Sequence, residues 1–72
     1  MRRYADLDKD SGVAEYEISD TSITIRFKGT DSPYTYSYQK AGRHHVEKLK
    51  RLALRGDGLN EYINRYVKKL YD

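Results

Sequence analysis

The stretch Pro33–Gln39 constrains the fold most, because tyrosine alternates there with small polar residues. A β-strand points successive side chains to opposite faces of its sheet, so Tyr34, Tyr36 and Tyr38 share one face. Three rings on one face must be shielded from solvent by another element, whereas the polar residues between them can be exposed to solvent. The stretch therefore predicts a strand in an antiparallel sheet that is covered on one side only.

Two further strands are predicted before it, at residues 13–18 and 22–28, separated by the turn-forming residues Ser19, Asp20 and Thr21. Apolar side chains alternate along both segments, which is the pattern of a half-buried strand. Their apolar faces consist of Ala14, Tyr16, Ile18, Ile23, Ile25 and Phe27. Together with the tyrosine strand they predict an antiparallel meander of three strands.

Two helices are predicted after the meander, one from about Gly42 to Arg55 and one from Leu59 to about Tyr71. The first has an apolar stripe at helical spacing: Val46, Leu49, Leu52 and Ala53. The second has a longer stripe: Leu59, Tyr62, Ile63, Tyr66, Val67, Leu70 and Tyr71. The sequence thus predicts an α+β fold in which two helices pack on one face of a three-stranded antiparallel meander.

Residues 13–72 are expected to form a single domain, and the polar residues 1–12 a flexible N-terminal arm. The whole chain has only 72 residues, so its core must be thin. It lacks cysteine, has no apolar N-terminal run and no stretch near the ~18 apolar residues of a membrane span. These features predict a cytoplasmic protein with no membrane partner.

Charge is divided unevenly along the chain. Residues 1–39 have 5 Lys/Arg and 7 Asp/Glu, whereas residues 40–72 have 9 Lys/Arg and 4 Asp/Glu. A basic helical half suggests a polyanionic partner such as RNA, although a merely solvated surface has the same composition. The candidate nucleic-acid-binding residues on the helices are Arg43, His44, Lys48, Arg51, Arg55, Arg65, Lys68 and Lys69.

The tyrosine face has two interpretations. Exposed rings would form a platform on which unpaired bases stack. Buried rings would form the floor beneath the helices, with their hydroxyls reaching polar partners at the edge. Burial is favoured, because the helices need an apolar floor and the opposite face offers only residues such as Thr35 and Ser37.

Alternating aspartates at Asp6, Asp8 and Asp10 suggest a calcium loop that ends at Glu17. Such loops place a glycine sixth and a bidentate glutamate twelfth. Counted from Asp6, Glu17 is twelfth, but Ser11 occupies the sixth position. A solvated turn is the alternative, and the sequence leaves cation binding by this loop open.

No catalytic residue, metal site or cofactor is expected. His44 and His45 are adjacent and point about 100° apart on a helix, whereas paired zinc ligands are spaced i, i+4. The chain offers no nucleophile with an evident base and no glycine-rich phosphate loop. A core this thin also leaves little room for a pocket of ordinary size.

The order of elements and a small set of motif residues resemble the KTSC domain, found at the C-terminus of some bacterial lysyl-tRNA synthetases and as stand-alone bacterial proteins. The motif residues are Tyr36, Tyr38, Gly56, Leu59, Asn60 and Ile63. Two positions depart from the family pattern: Lys40–Gly42 replaces a Val-Pro entry into the first helix, and Leu54 replaces a serine. The resemblance implies this fold, and RNA binding has been proposed for the family from its attachment to a tRNA enzyme.

The favoured hypothesis is a non-catalytic RNA-binding accessory module that uses the basic helical surface. The alternative is a protein-interaction module that uses an open strand edge or the polar face of the sheet. That face would consist of Glu15, Glu17, Thr24, Arg26, Thr35 and Ser37.

Overall fold

A computed structural model describes residues 1–7 and 12–72. Over these residues the chain forms one antiparallel sheet in the order β1-β2-β3-β4, followed by helices. The strands are β1 (Arg2–Arg3), β2 (Val13–Ile18), β3 (Ser22–Phe27) and β4 (Tyr34–Ser37). The helices are α1 (Arg43–Arg55) and α2 (Leu59–Tyr62), which continues into a π-helical segment (Ile63–Val67). The predicted α+β class is confirmed.

The sheet has a fourth strand that the sequence did not predict. Arg2 pairs with Tyr16 and Arg3 with Glu15, so residues assigned to an N-terminal arm extend the sheet instead. Tyr4 follows them into the core, and its hydroxyl accepts the backbone N–H of Leu59 at 3.2 Å. A two-residue edge strand pairs through its backbone alone, so no apolar alternation marks it in the sequence.

The inner face of β2 differs from the predicted one because the β2–β3 register shifts between Val13 and Glu15. Such a bulge places one extra residue on one strand and changes which side chains point inward. Val13 and Tyr16 are both buried, whereas Ile18 is exposed. Beyond the bulge, Ile18 pairs with Ile23 and stays on the same face as Tyr16, at the exposed end of the strand. The predicted Ala14–Tyr16–Ile18 face is therefore wrong at Ala14 and correct at Tyr16 and Ile18.

The tyrosine strand lies beneath the helices. Tyr36 is 1% exposed and pairs across the sheet with Ile23, while Tyr34 and Tyr38 are half-buried. Burial raises the pKa of the Tyr36 hydroxyl to about 12, because the apolar surroundings disfavour its anion. The core interpretation of the tyrosine face is confirmed at Tyr36.

Helix α1 follows its prediction closely, and the buried residues of its apolar stripe are Val46, Leu49, Leu52 and Ala53. The second helix is shorter than predicted and ends as a π-helix at Val67. Because π-helical turns contain more residues than α-helical turns, residues four apart stay aligned there and residues three apart do not. Leu59, Ile63 and Val67 are accordingly buried, whereas Tyr66 turns outward.

A tight approach at Gly56 fixes the N-terminal segment against the end of α1. Gly56 has φ 80° in the left-handed region, and its carbonyl accepts the N–H of Leu7 at 2.8 Å. A Cβ at Gly56 would lie 2.7 Å from the Cβ of Ala5. Only glycine satisfies both the backbone conformation and this contact.

Gly29→Ala provides a matched control for Gly56→Ala, because Gly29 has φ 81° and an added Cβ there meets nothing within 4 Å. We expect Gly29→Ala to cost about 1–2 kcal/mol of unfolding free energy from backbone strain alone. Gly56→Ala should cost about 2–5 kcal/mol, because the collision with Ala5 adds to the same strain. Urea unfolding of both variants measures the difference, and equal costs would show that the Ala5 contact is unimportant.

Candidate nucleic-acid interface

The outward face of α1 holds four of the predicted basic residues in one line, called here the α1 stripe: His44, Lys48, Arg51 and Arg55. They are spaced i, i+4, i+7 and i+11, so they follow one another along the same side of the helix. Lys48 is half-buried and the other three are exposed. None of them forms an ion pair with any residue in 1–7 or 12–72.

Glu47, the single carboxylate of α1, lies one helical turn before Arg51, but its carboxylate is held by residues outside the α1 stripe. Its Oε2 accepts the hydroxyl of Tyr38 at 2.5 Å and lies 3.1 Å from Lys50 Nζ. The hydrogen bond from Tyr38, followed by that from Lys50, lowers the pKa of Glu47. The same hydrogen bond raises the pKa of Tyr38. Glu47 therefore pairs with Lys50, which is not part of the α1 stripe.

Arg43 lies on the Tyr38 flank, away from the α1 stripe. Its guanidinium carbon is 5.7 Å from the centroid of the Tyr38 ring, and Lys50 Nζ is 5.3 Å from the same centroid. Lys50 also donates to the carbonyl of Asp20 at 3.0 Å. Arg43 thus belongs to a local cluster that ties α1 to the end of β4.

A second group of residues, called here the aromatic cluster, joins α1 to the π-helical segment and comprises His45, Tyr62 and Tyr66. His45 Nδ1 and the Tyr62 hydroxyl are 2.8 Å apart, a hydrogen bond between the two elements. The Tyr66 ring lies 4.7 Å from that of Tyr62 and 6.2 Å from that of His45, nearly parallel to the latter. Tyr66 nevertheless remains 52% exposed.

Basic side chains border the aromatic cluster. The guanidinium carbon of Arg65 lies 6.0 Å from the Tyr66 centroid. The ring of His44, the first residue of the α1 stripe, lies 5.6 Å from that of His45. Lys69 is exposed three residues after Tyr66. The structure therefore places Arg65 and the His44 end of the α1 stripe on the border of the aromatic cluster.

Lys68 lies elsewhere, in a groove of about 370 Å³ between the sheet and the π-helical segment. Tyr34 and Tyr71 line this groove with their rings in edge contact at 4.7 Å. Of the eight predicted residues, Arg43 and Lys68 thus have side chains engaged elsewhere, at the Tyr38 ring and in this groove.

Sequence reasoning missed the aromatic cluster because it assigned Tyr62 and Tyr66 to a buried stripe. Tyr66 lies at the surface within the wider π-helical turn, and no local sequence signal marks that turn. The family-motif residues, in contrast, mostly lie in the core or beside it. Tyr36, Leu59 and Ile63 are buried in the core, and Asn60 is half-buried beside Gly12.

The suggested calcium loop falls partly outside the described residues, because Asp8 and Asp10 lie there. Asp6 pairs with Lys28 at 2.8 Å, at the Val13 end of β2. Glu17 is four residues further along β2, roughly 13 Å away. Asp6 and Glu17 are therefore too far apart to bind one ion. Over residues 1–7 and 12–72, no group of three or more His, Asp or Glu side chains is arranged to hold a metal.

The polar face of the sheet is paired internally. Arg26 Nε donates to Glu15 at 2.6 Å, and the hydroxyls of Thr24 and Thr35 are 2.9 Å apart. At the β4 edge, the backbone N–H of Asp72 donates to the carbonyl of Thr35 at 2.7 Å. These contacts occupy several groups that a protein partner would otherwise use.

Comparisons with protein-family models, curated proteins and solved structures find no match to this chain. In the part of the chain that the structure describes, no helix is both long enough and apolar enough to span a bilayer.

Proposed function

We propose that this chain is a non-catalytic module that binds RNA through the α1 stripe. The observation that carries the proposal is that stripe itself: basic side chains in one line, with no ion-pair partner among the described residues. A phosphate backbone is the complementary ligand, because each neutralised phosphate releases bound counterions. The resemblance to the KTSC domain points to the same class of ligand.

In this proposal three Lys/Arg side chains of the α1 stripe and two from the region around Tyr66 supply the phosphate contacts: Lys48, Arg51, Arg55, Arg65 and Lys69. Contacts of this kind position a protein on the backbone without reading base sequence. We therefore propose a module that holds RNA for another activity and selects little among sequences.

Salt dependence tests this proposal. With five contacts to a single strand, the logarithm of the association constant should fall with the logarithm of salt at a slope of about −3.5. Affinity for a uridine oligomer should then decrease roughly a hundredfold between about 50 and 200 mM salt. Fluorescence anisotropy with an end-labelled oligomer measures the slope.

Absence of oligomer binding at low salt would refute the RNA proposal. It would favour the competing protein-interaction module, in which a partner strand pairs with an open sheet edge. Backbone hydrogen bonds provide most of the affinity in that mode, so binding would respond little to salt.

A further inference from the structure

We infer that Tyr66 is a base-stacking site, so that the RNA is bound as a single strand with an unpaired base on this ring. This inference rests on the proposed function and adds to it a contact with the base. Single-stranded nucleic acids are commonly bound by a cationic groove combined with exposed aromatic rings. The α1 stripe supplies only the first of these two features.

The exposure of Tyr66 is the first observation that supports the inference. Tyrosine is intermediate in its tendency to be buried, and in this domain Tyr36 is buried, Tyr62 is half-buried and Tyr71 is 38% exposed. Tyr66 remains 52% exposed because the π-helical segment rotates it away from the core. Such segments are often found at functional sites, where they place a side chain that a regular helix would bury.

The second observation is that the exposed ring of Tyr66 is held in position by neighbouring side chains. Tyr62 contacts its ring at 4.7 Å, and Tyr62 is itself fixed by the hydrogen bond to His45 on α1. The His45 ring lies nearly parallel to that of Tyr66, at an angle of 25°. A ring held in this way loses little conformational entropy when a ligand stacks on it.

The third observation is the position of charge around the ring. The guanidinium carbon of Arg65 lies over the Tyr66 ring, 6.0 Å from its centroid, so a base that stacks on this face displaces the guanidinium towards the phosphate of the same nucleotide. His44 lies next to His45 at the start of the α1 stripe. The His44 end of the α1 stripe thus lies next to the aromatic cluster on which the strand stacks.

The inference is tested by measuring the affinities of two proteins for two ligands. The proteins are the wild type and Tyr66→Ala, and the ligands are a uridine oligomer and an abasic oligomer of equal length, which has the same phosphates but no bases. We expect Tyr66→Ala to weaken binding of the uridine oligomer roughly 5- to 150-fold. Binding of the abasic oligomer should stay within about twofold, because stacking is absent there.

Tyr66→Phe is the matched control, because it keeps the aromatic face, and its affinity for the uridine oligomer should stay close to that of the wild type. Equal losses on both oligomers, or no loss on either, would overturn the stacking site. If that happened while wild-type binding remained steeply salt-dependent, the proposed RNA function would stand without it. If the wild type bound neither oligomer, the function and the stacking site would both be refuted.

Discussion

Tyr36→Ala is expected to unfold at a much lower urea concentration than the wild type. Removing a large buried aromatic side chain typically costs about 3–5 kcal/mol. A domain of 72 residues has about 4–11 kcal/mol of stability in total. Because Tyr36 is 1% exposed and central to β4, its loss leaves a cavity at the point where the sheet meets the helices.

Two control variants make this result specific to burial. Tyr36→Phe keeps the ring and should remain folded, whereas Tyr66→Ala removes an exposed ring and should change the unfolding free energy by under about 1 kcal/mol. Circular dichroism during urea unfolding measures all three variants. If Tyr36→Ala unfolded at the same urea concentration as the wild type, the ring would not be part of the core.

The elements that were predicted well from the sequence are those in which apolar side chains recur with the period of an α-helix or a β-strand. The apolar stripe of α1 repeats at helical spacing, and its end at Arg55 is followed by a left-handed glycine, Gly56. Strands β3 and β4 alternate cleanly, so the burial of Ile23, Ile25 and Tyr36 follows directly from their positions.

The N-terminal strand could not be predicted, because its contacts are made by the backbone and by distant partners. Arg2 and Arg3 have no apolar pattern, and Tyr4 caps the backbone of Leu59, 55 residues away in sequence. Nothing local to residues 1–7 indicates either contact. An isolated tyrosine among charged residues fits a loose arm equally well.

The candidate site was predicted only in part, because some of its residues are positioned by contacts with residues distant in the sequence. The α1 stripe follows from regular helical spacing, so its four residues were correctly placed on one face. Tyr66 was placed on the buried side, because the prediction assumed α-helical periodicity through residue 71. Arg43 lies beside the Tyr38 ring, and Lys68 lies in the groove beside Tyr34. Both positions are set by tertiary contacts, which helical spacing does not indicate.

Reversing charge in the α1 stripe should weaken RNA binding strongly. Each single-strand phosphate contact contributes about 0.7 logarithmic units of affinity at about 0.1 M salt, relative to 1 M. Arg51→Glu combined with Arg55→Glu removes two contacts, which is roughly 25-fold, and the new carboxylates add repulsion. Both arginines are exposed, so the fold should be retained.

Arg43→Glu combined with Lys68→Glu is the matched control. It changes net charge by the same amount but alters the two basic residues that lie away from the stripe. Neither side chain is assigned a phosphate contact, so only the longer-range, salt-screened part of the charge change acts on the RNA, and the loss of affinity should be under about fivefold. Circular dichroism spectra must first show that both double variants are folded.

The most direct test is the salt slope of uridine-oligomer binding for the wild type and these two double variants. A contact surface on α1 predicts that R51E/R55E has a slope shallower by about 1.4, while R43E/K68E keeps the wild-type slope. Equal affinities and equal slopes for all three proteins would contradict an RNA contact at the α1 stripe.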